Sequence, residues 1–248
     1  MKKIVSLVLC TVILITVIPM TGCGKKKSAP LTLGLGIHTS AELKNALEKQ
    51  NGGGTAVSTA AAILMDGDTI VRCVLDAAEN QLTFTSDGKA IASEPSLTKR
   101  EQGDDYGMKA YGGAKLEWYE QANAFGTIAE GKTVDEVKAL VTSDGKGTDE
   151  VIRAGCTIDV SDFVRAIEKA AANTAPSASS GTDTLKLGAA TLRTTRDATA
   201  EADGVNQTET TFFAATVDPS GTITAAYQLD FNRTVVSYNE FYISVKEK

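Results

Sequence analysis

The chain has 248 residues, of which 23% are charged and 42% hydrophobic, the proportions of an ordinary globular protein. A net charge of −6 argues against a nucleic-acid partner. A single histidine, His38, and four scattered cysteines leave no zinc motif and no usual serine or cysteine triad.

Residues 1–22 read as a lipoprotein signal peptide. Lys2 and Lys3 give a positive start, residues 4–18 form an apolar run too short to cross a bilayer comfortably, and Gly22 places a small residue before Cys23. The run Met20-Thr21-Gly22-Cys23 resembles a bacterial lipobox. The resemblance implies cleavage before Cys23 and acylation of that cysteine, so the expected location is the extracytoplasmic face of the cell membrane, held by lipid. Residues 23–30 become a lipidated tether. Its Lys25, Lys26 and Lys27 either meet anionic headgroups or are solvated. Cys10 leaves with the signal. Cys73 and Cys156 remain, as a disulfide in an oxidising exterior or as two small buried apolar residues.

The expected fold class is α+β: duplicated antiparallel β-hairpin units with helices packed on the sheet, the second unit truncated. Leu31-Thr32-Leu33-Gly34 opens one unit and Leu185-Lys186-Leu187-Gly188 the other. In each, a polar Thr/Ala-rich stretch that could begin as a helix follows, and residues 40–49 read as one. Hairpins come next. Residues 56–65 run to Asp66-Gly67-Asp68 and return through 69–76; residues 210–217 run to Asp218-Pro219-Ser220-Gly221 and return through 222–230. Third strands are predicted at 81–85 and 234–237. A turn and a fourth strand follow each, the turns being Ser86-Asp87-Gly88 and Tyr238-Asn239-Glu240.

Only the first unit continues. Residues 101–108 form a polar loop whose Asp104-Asp105 pair reads as a solvated turn or helix cap. Trp118, Ala122 and Phe125 share a helical face over 116–128, which Gly131 ends. Thr133 with Glu136 forms a capping box leading a short helix. Residues 143–147 are a loop. Phe163, Ile167 and Ala170 define the buried face of a helix over 161–170. Residues 175–181 form a Pro/Ser linker. A second unit without helices has strands it cannot cover alone, so its sheet is expected to pack on the first.

No nucleophile elbow, phosphate loop or HExxH is present, and no catalytic or metal-binding residue is assigned. One segment carries ligand chemistry. Gly155-Cys156-Thr157 feeds the amphipathic helix at Ser161, and the free N–H groups at such a terminus favour a phosphate. Threonine and aspartate also cap helices routinely, so the segment has a plain structural reading too.

This segment resembles the end of the bacterial FMN-binding domain, found in flavin-bearing subunits of membrane quinone reductases and in lipoproteins of extracellular electron transfer. Its motif is Ser-Gly-Ala-Thr followed by a helix. Gly155 and Thr157 match, Ala166, Glu168, Lys169 and Ala170 fall in step, and Ile158 and Ile167 are conservative equivalents. Ala154 and Cys156 stand where the motif has Ser and Ala. The resemblance implies FMN joined through its phosphate to Thr157 by a flavin transferase, with Gly155, Cys156 and Ser161 at the site and redox partners outside the cytoplasm. Tyr106, Met108, Trp118 and Tyr119 are candidates for the wall of the flavin ring, or for the core. At most one covalent flavin is expected, since the second unit has no counterpart of Thr157. The chain is also similar to clostridial lipoproteins with an Asp-Asp-Tyr-Gly-Met loop and a Glu-Trp-(Tyr/Asn)-Glu-Gln-Ala helix, matched by 104–108 and 117–122.

The chain thus divides into the signal (1–22), the tether (23–30), an FMN-binding-domain-like unit (31–175), a linker (176–184) and a partial second repeat packing on the first (185–248). Two functions follow from these readings, an electron carrier and a binding protein, with an enzyme of unrecognised type as the remaining alternative. One is an FMN-carrying electron-transfer lipoprotein. The other is a flavin-free structural or ligand-binding surface lipoprotein, favoured if Cys156 packs into the core and closes the phosphate pocket.

Overall fold

The computed structural model describes residues 30–45, 47, 49–91, 97–202, 204–227 and the backbone of 238–245. The signal segment, Cys23, the lysines behind it and the predicted strand at 234–237 lie outside the described residues.

The fold is α+β. Strands β1 (Thr32–Lys44), β2 (Gly52–Asp66) and β3 (Thr69–Phe84) form an antiparallel meander. β4 (Ala90–Ile91) extends it on the β3 edge and β5 (Thr174–Pro176) on the β1 edge. The β2–β3 turn places Gly67 at φ 62°, a conformation that glycine adopts without steric cost. The run Ala60-Ala61-Ala62-Ile63-Leu64-Met65 is buried throughout because both faces of β2 are covered. Ala61 and Ile63 face the helices, and Ala60 and Ala62 face a second sheet.

That second sheet is built from β6 (Thr184–Arg196), β7 (Gly204–Val217), β8 (Ile223–Ala226) and β9 (Tyr238–Val245). β6 runs along β7, and β8 and β9 pair with successive stretches of it. The hairpins of the two sheets share a register. One spans Thr32↔Met65 to Lys44↔Gly53, the other Thr184↔Val217 to Arg196↔Val205. Each has a register shift one rung from the same end, between Leu64 and Met65 and between Thr216 and Val217.

Several local readings are corrected. Residues 40–44, the first half of the expected helix, are strand: β1 continues to Lys44, still paired with Gly53, and the ladder to β2 outweighs the helical propensity of Ala, Glu, Leu and Lys. β6 likewise runs on to Arg196. The strands predicted at 69–76 and 81–85 are one strand. The polar residues between them are satisfied in place: the Asp76 carboxylate accepts from the N–H groups of Ala77 (2.7 Å) and Arg100 (3.1 Å), and Asn80 bonds Thr208 and Thr210 of the second sheet. Tyr238, Asn239 and Glu240 are not a turn but the first residues of β9, opposite Thr211, Thr210 and Glu209. The ladder to β7 holds a segment whose Asn and Glu read locally as turn formers. The linker reading at 175–181 begins one residue inside β5.

Helices cover the outer face of the first sheet: α1 (Lys99–Gln102), α2 (Trp118–Ala129), α3 (Val134–Lys138), α4 (Asp149–Arg153) and α5 (Ser161–Ala172). α2 buries Trp118, Ala122 and Phe125, and Gly131 follows it at φ 83°. The predicted Thr133/Glu136 capping box opens α3. The same device, Thr98 with Glu101, opens α1. α4 was not expected. α5 lies directly on β1, where Gly34 and Gly36 carry no Cβ; a methyl on Gly36 would overlap Ala170 N and Ala166 O. Phe163 of α5 meets Trp118 edge-on at 5.6 Å.

Between the sheets, Leu33, Leu35 and Ala78 pack against Leu185, Phe212 and Ala214. Tyr227 donates to Asn173 at the end of α5. The chain joining the sheets is tied down by hydroxyls that link Ser177, Ser179, Thr216, Thr224 and Asp183. On the far side of the second sheet, Phe213, Leu192 and Ile223 are 51%, 68% and 64% exposed.

Candidate functional site

The Gly155-Cys156-Thr157 turn joins α4 to α5. Gly155 sits at φ 103°, which disfavours any residue with a side chain, and a Cβ there would come within 2.6 Å of Leu116 Cδ1. Its N–H donates to Ile152 O (3.0 Å) and that of Cys156 to Val151 O (3.2 Å), so the turn is the closing bend of α4. The Cys156 side chain is fully buried, in the core cluster that also holds Val151 and Val160. Burial pushes its thiol up to about 11. Cys73 is buried as well, its thiol pushed up to about 12 by burial and then by Glu130, and neither cysteine is in a disulfide.

Thr157 is exposed, and it is engaged. Its backbone N–H and its hydroxyl both donate to Gln121 Oε1, at 2.8 and 3.2 Å. Gln121 is 1% exposed and its Nε2 donates to Leu116 O at 3.0 Å. Beside it, the buried Glu117 carboxylate accepts from the N–H groups of Met108 (2.8 Å) and Lys109 (3.1 Å). Gln121 and Glu117 therefore organise this end of the helical layer; the sequence marks both only as members of the 117–122 motif and gives neither a role. A signal existed: Gln121 is a polar residue on the apolar stripe of Trp118, Ala122 and Phe125.

Ser161 opens α5, but its N–H is already bonded to Asp159 Oδ1 at 2.8 Å. Asp162 lies in the first turn. A cleft of about 450 Å³ opens here, with carboxylates from Asp144, Asp159 and Asp162 on its walls. The Thr142 hydroxyl holds Asp144 below the usual carboxylate range, so it is ionised at neutral pH. Arg165 is paired with Asp162 at 3.2 Å, and the same carboxylate lies 3.4 Å from His38. Burial pulls His38 below its ordinary value, against the opposing pull of Asp162. The opening before α5 therefore sets three carboxylates against the single guanidinium of Arg165, a balance that opposes a phosphate.

The four candidate ring-wall residues are occupied too. Trp118 is buried against Phe163. The Tyr119 hydroxyl donates to Asp104 at 3.2 Å, the Lys99 ammonium lies over the Tyr106 ring at 4.9 Å, and Gln121 Nε2 approaches Met108 Sδ at 3.9 Å. The predicted site residues are thus close in the chain without forming a cradle: Cys156 points into the core, Thr157 to Gln121, and Ser161 N–H to Asp159. The residues present do not fit a covalently held FMN.

Two further clefts lie elsewhere. One, of about 350 Å³, is floored by Gly52, Gly53 and Gly54 and flanked by Glu42, Lys44, Gln81 and Thr83. The other, of about 440 Å³, lies between Lys132, Glu136, Leu140 and Glu150. Among the described residues no cluster of His, Cys, Asp or Glu could hold a metal ion. Asp104 and Asp105 sit in a 3-10 turn at Gly103–Tyr106. No family model matches the chain, and no curated protein and no solved structure matches it.

Proposed function

We propose that this chain is a lipid-anchored protein of the extracytoplasmic face of the cell membrane, and that its folded body is a structural or ligand-binding module. The observation that carries the anchoring is the order of segments. A positive start, an apolar run and Gly22-Cys23 lead through a few residues to Leu31, whose carbonyl accepts from Ser177 N–H at 2.8 Å. A short tether from an acylated Cys23 would hold that end of the sheets toward the bilayer. Acylation through one chain is marginal, and a second chain or the three lysines would complete it. The body consists of a duplicated hairpin unit, the second copy truncated. The matching registers and matching register shifts of β1–β2 and β6–β7 support this reading. They align Leu33-Gly34-Leu35-Gly36 with Leu185-Lys186-Leu187-Gly188, two residues on from the alignment that the sequence suggests.

Replacing Cys23 tests the anchor. Wild type should label with palmitate and run at the size of the form cut before Cys23, and Cys23→Ser should do neither. A Cys23→Ser protein that still takes up palmitate would sink the proposal.

A second reading, an electron carrier with FMN on Thr157, has the exposure of Thr157 in its favour and the bonding of its hydroxyl to Gln121 against it. It calls for a flavin transferase and redox partners. In-gel flavin fluorescence of the protein, lost in Thr157→Ala, would support it.

A further inference from the structure

We infer that the Gly155-Cys156-Thr157 turn is a structural clip closed on Gln121, and that it is not a site of flavin attachment. Each residue of the turn is accounted for by the fold alone. Gly155 is required by its φ of 103° and by the approach of Leu116. Cys156 supplies a small apolar side chain to the core between α4 and α5. Thr157 supplies two donors to one buried acceptor, Gln121 Oε1.

That acceptor is the reason the threonine matters. Gln121 lies on the buried face of α2, and a carboxamide oxygen there without a partner is costly. Its other end is held by Leu116 O, the residue that packs on Gly155. Gln121 thus fastens the start of α2 to the bend before α5, 36 positions along the chain. Esterifying the Thr157 hydroxyl with a phosphate would remove the proton it donates to Gln121. At the start of α5 the Ser161 N–H, which could have met that phosphate, is already taken by Asp159.

The test has two arms on the full chain. In the first, it is co-expressed with a flavin transferase and a control acceptor domain, and intact masses are read. The expected result is one FMN on the control and none here; a gain of one FMN that Thr157→Ala abolishes would overturn the inference. In the second, amide exchange at Thr157 is followed in wild type, Gln121→Met and Thr157→Val. Losing its acceptor should speed exchange of that amide about tenfold in Gln121→Met, whereas Thr157→Val keeps the backbone donor and should stay within about twofold of wild type. Unchanged exchange in Gln121→Met would overturn the clip. Should that variant not fold, an unprotected Thr157 amide in the wild-type protein would do so equally.

Discussion

Among the described residues the first sheet is covered on both faces and the second on one, although their leading hairpins share a register. Gly36 and Gly188 show what this does to a sequence. They stand on equivalent rungs, opposite Ala61 and Phe213. At Gly36 the missing side chain admits the backbone of α5. At Gly188 the space is taken by the ring of Phe213, the cross-strand neighbour. One hairpin keeps its glycine for a helix, and the other fills the gap from its own partner strand. The same contrast governs the rows around them: Ala61 and Ile63 of β2 lie under helices, while Phe213 of β7 is half exposed. Coverage, rather than pairing, separates the two regions.

The largest expected effect comes from the shared layer. Phe212→Ala, which empties a fully buried site between the sheets, should cost about 3–5 kcal/mol in urea denaturation. Phe213→Ala, one residue along on the open face, should cost no more than about 1 kcal/mol. Equal losses would break the distinction between the two faces of β7. Next comes the glycine pair. Gly36→Ala forces a methyl against the α5 backbone and should cost about 1–3 kcal/mol. Gly188→Ala meets only the tip of a side chain that can swing, so a change under about 0.5 kcal/mol is expected. A larger loss at Gly188 than at Gly36 would reverse the comparison.

A smaller effect concerns pH. Burial raises the carboxyl of Asp76, in the first sheet, above its ordinary value, against the lowering by Thr98, the bound N–H groups and Arg100. The folded state then holds that proton more tightly than the unfolded chain. The resulting contribution is complete below the unfolded value of about 3.9 and is lost as pH rises through the folded one. Asp76→Asn keeps an oxygen for the Ala77 and Arg100 N–H groups and has no such slope. The stability of wild type relative to Asp76→Asn should therefore grow between pH 7 and pH 4, measured by urea midpoints; a constant difference would contradict the burial argument. The smallest effect is chemical. With thiols pushed up to about 12 and 11 and both side chains buried, Cys73 and Cys156 should resist a thiol-disulfide reagent at pH 8 in folded protein carrying Cys10→Ser and Cys23→Ser, and react once urea unfolds it. Prompt labelling of the folded protein would show that the helical layer opens.

Much of the fold was legible. The hairpin turns, the apolar run of β2, α2 and α5 each announce themselves within about ten residues through glycine, capping or periodicity. What failed was longer in range. Residues 40–49 look helical until β2 is placed beside them. Asp76 and Asn80 look like a break in β3 until Arg100 and Thr208 supply their partners. The candidate site shows the same limit: Gly155 and Thr157 stand out by likeness to a motif, while Gln121, which holds Thr157, lies in another helix.

The sequence by itself determined the class of fold, the hairpins, the capped helices and the expectation of a lipid anchor, because each depends on residues that are neighbours in the chain. The tertiary structure alone decided that Cys156 faces the core, that Thr157 is bound by Gln121, and that three carboxylates stand before α5. Those facts depend on which segments meet in space. The energy of a buried acceptor or an acidic opening is set by these distant neighbours, not by the local motif.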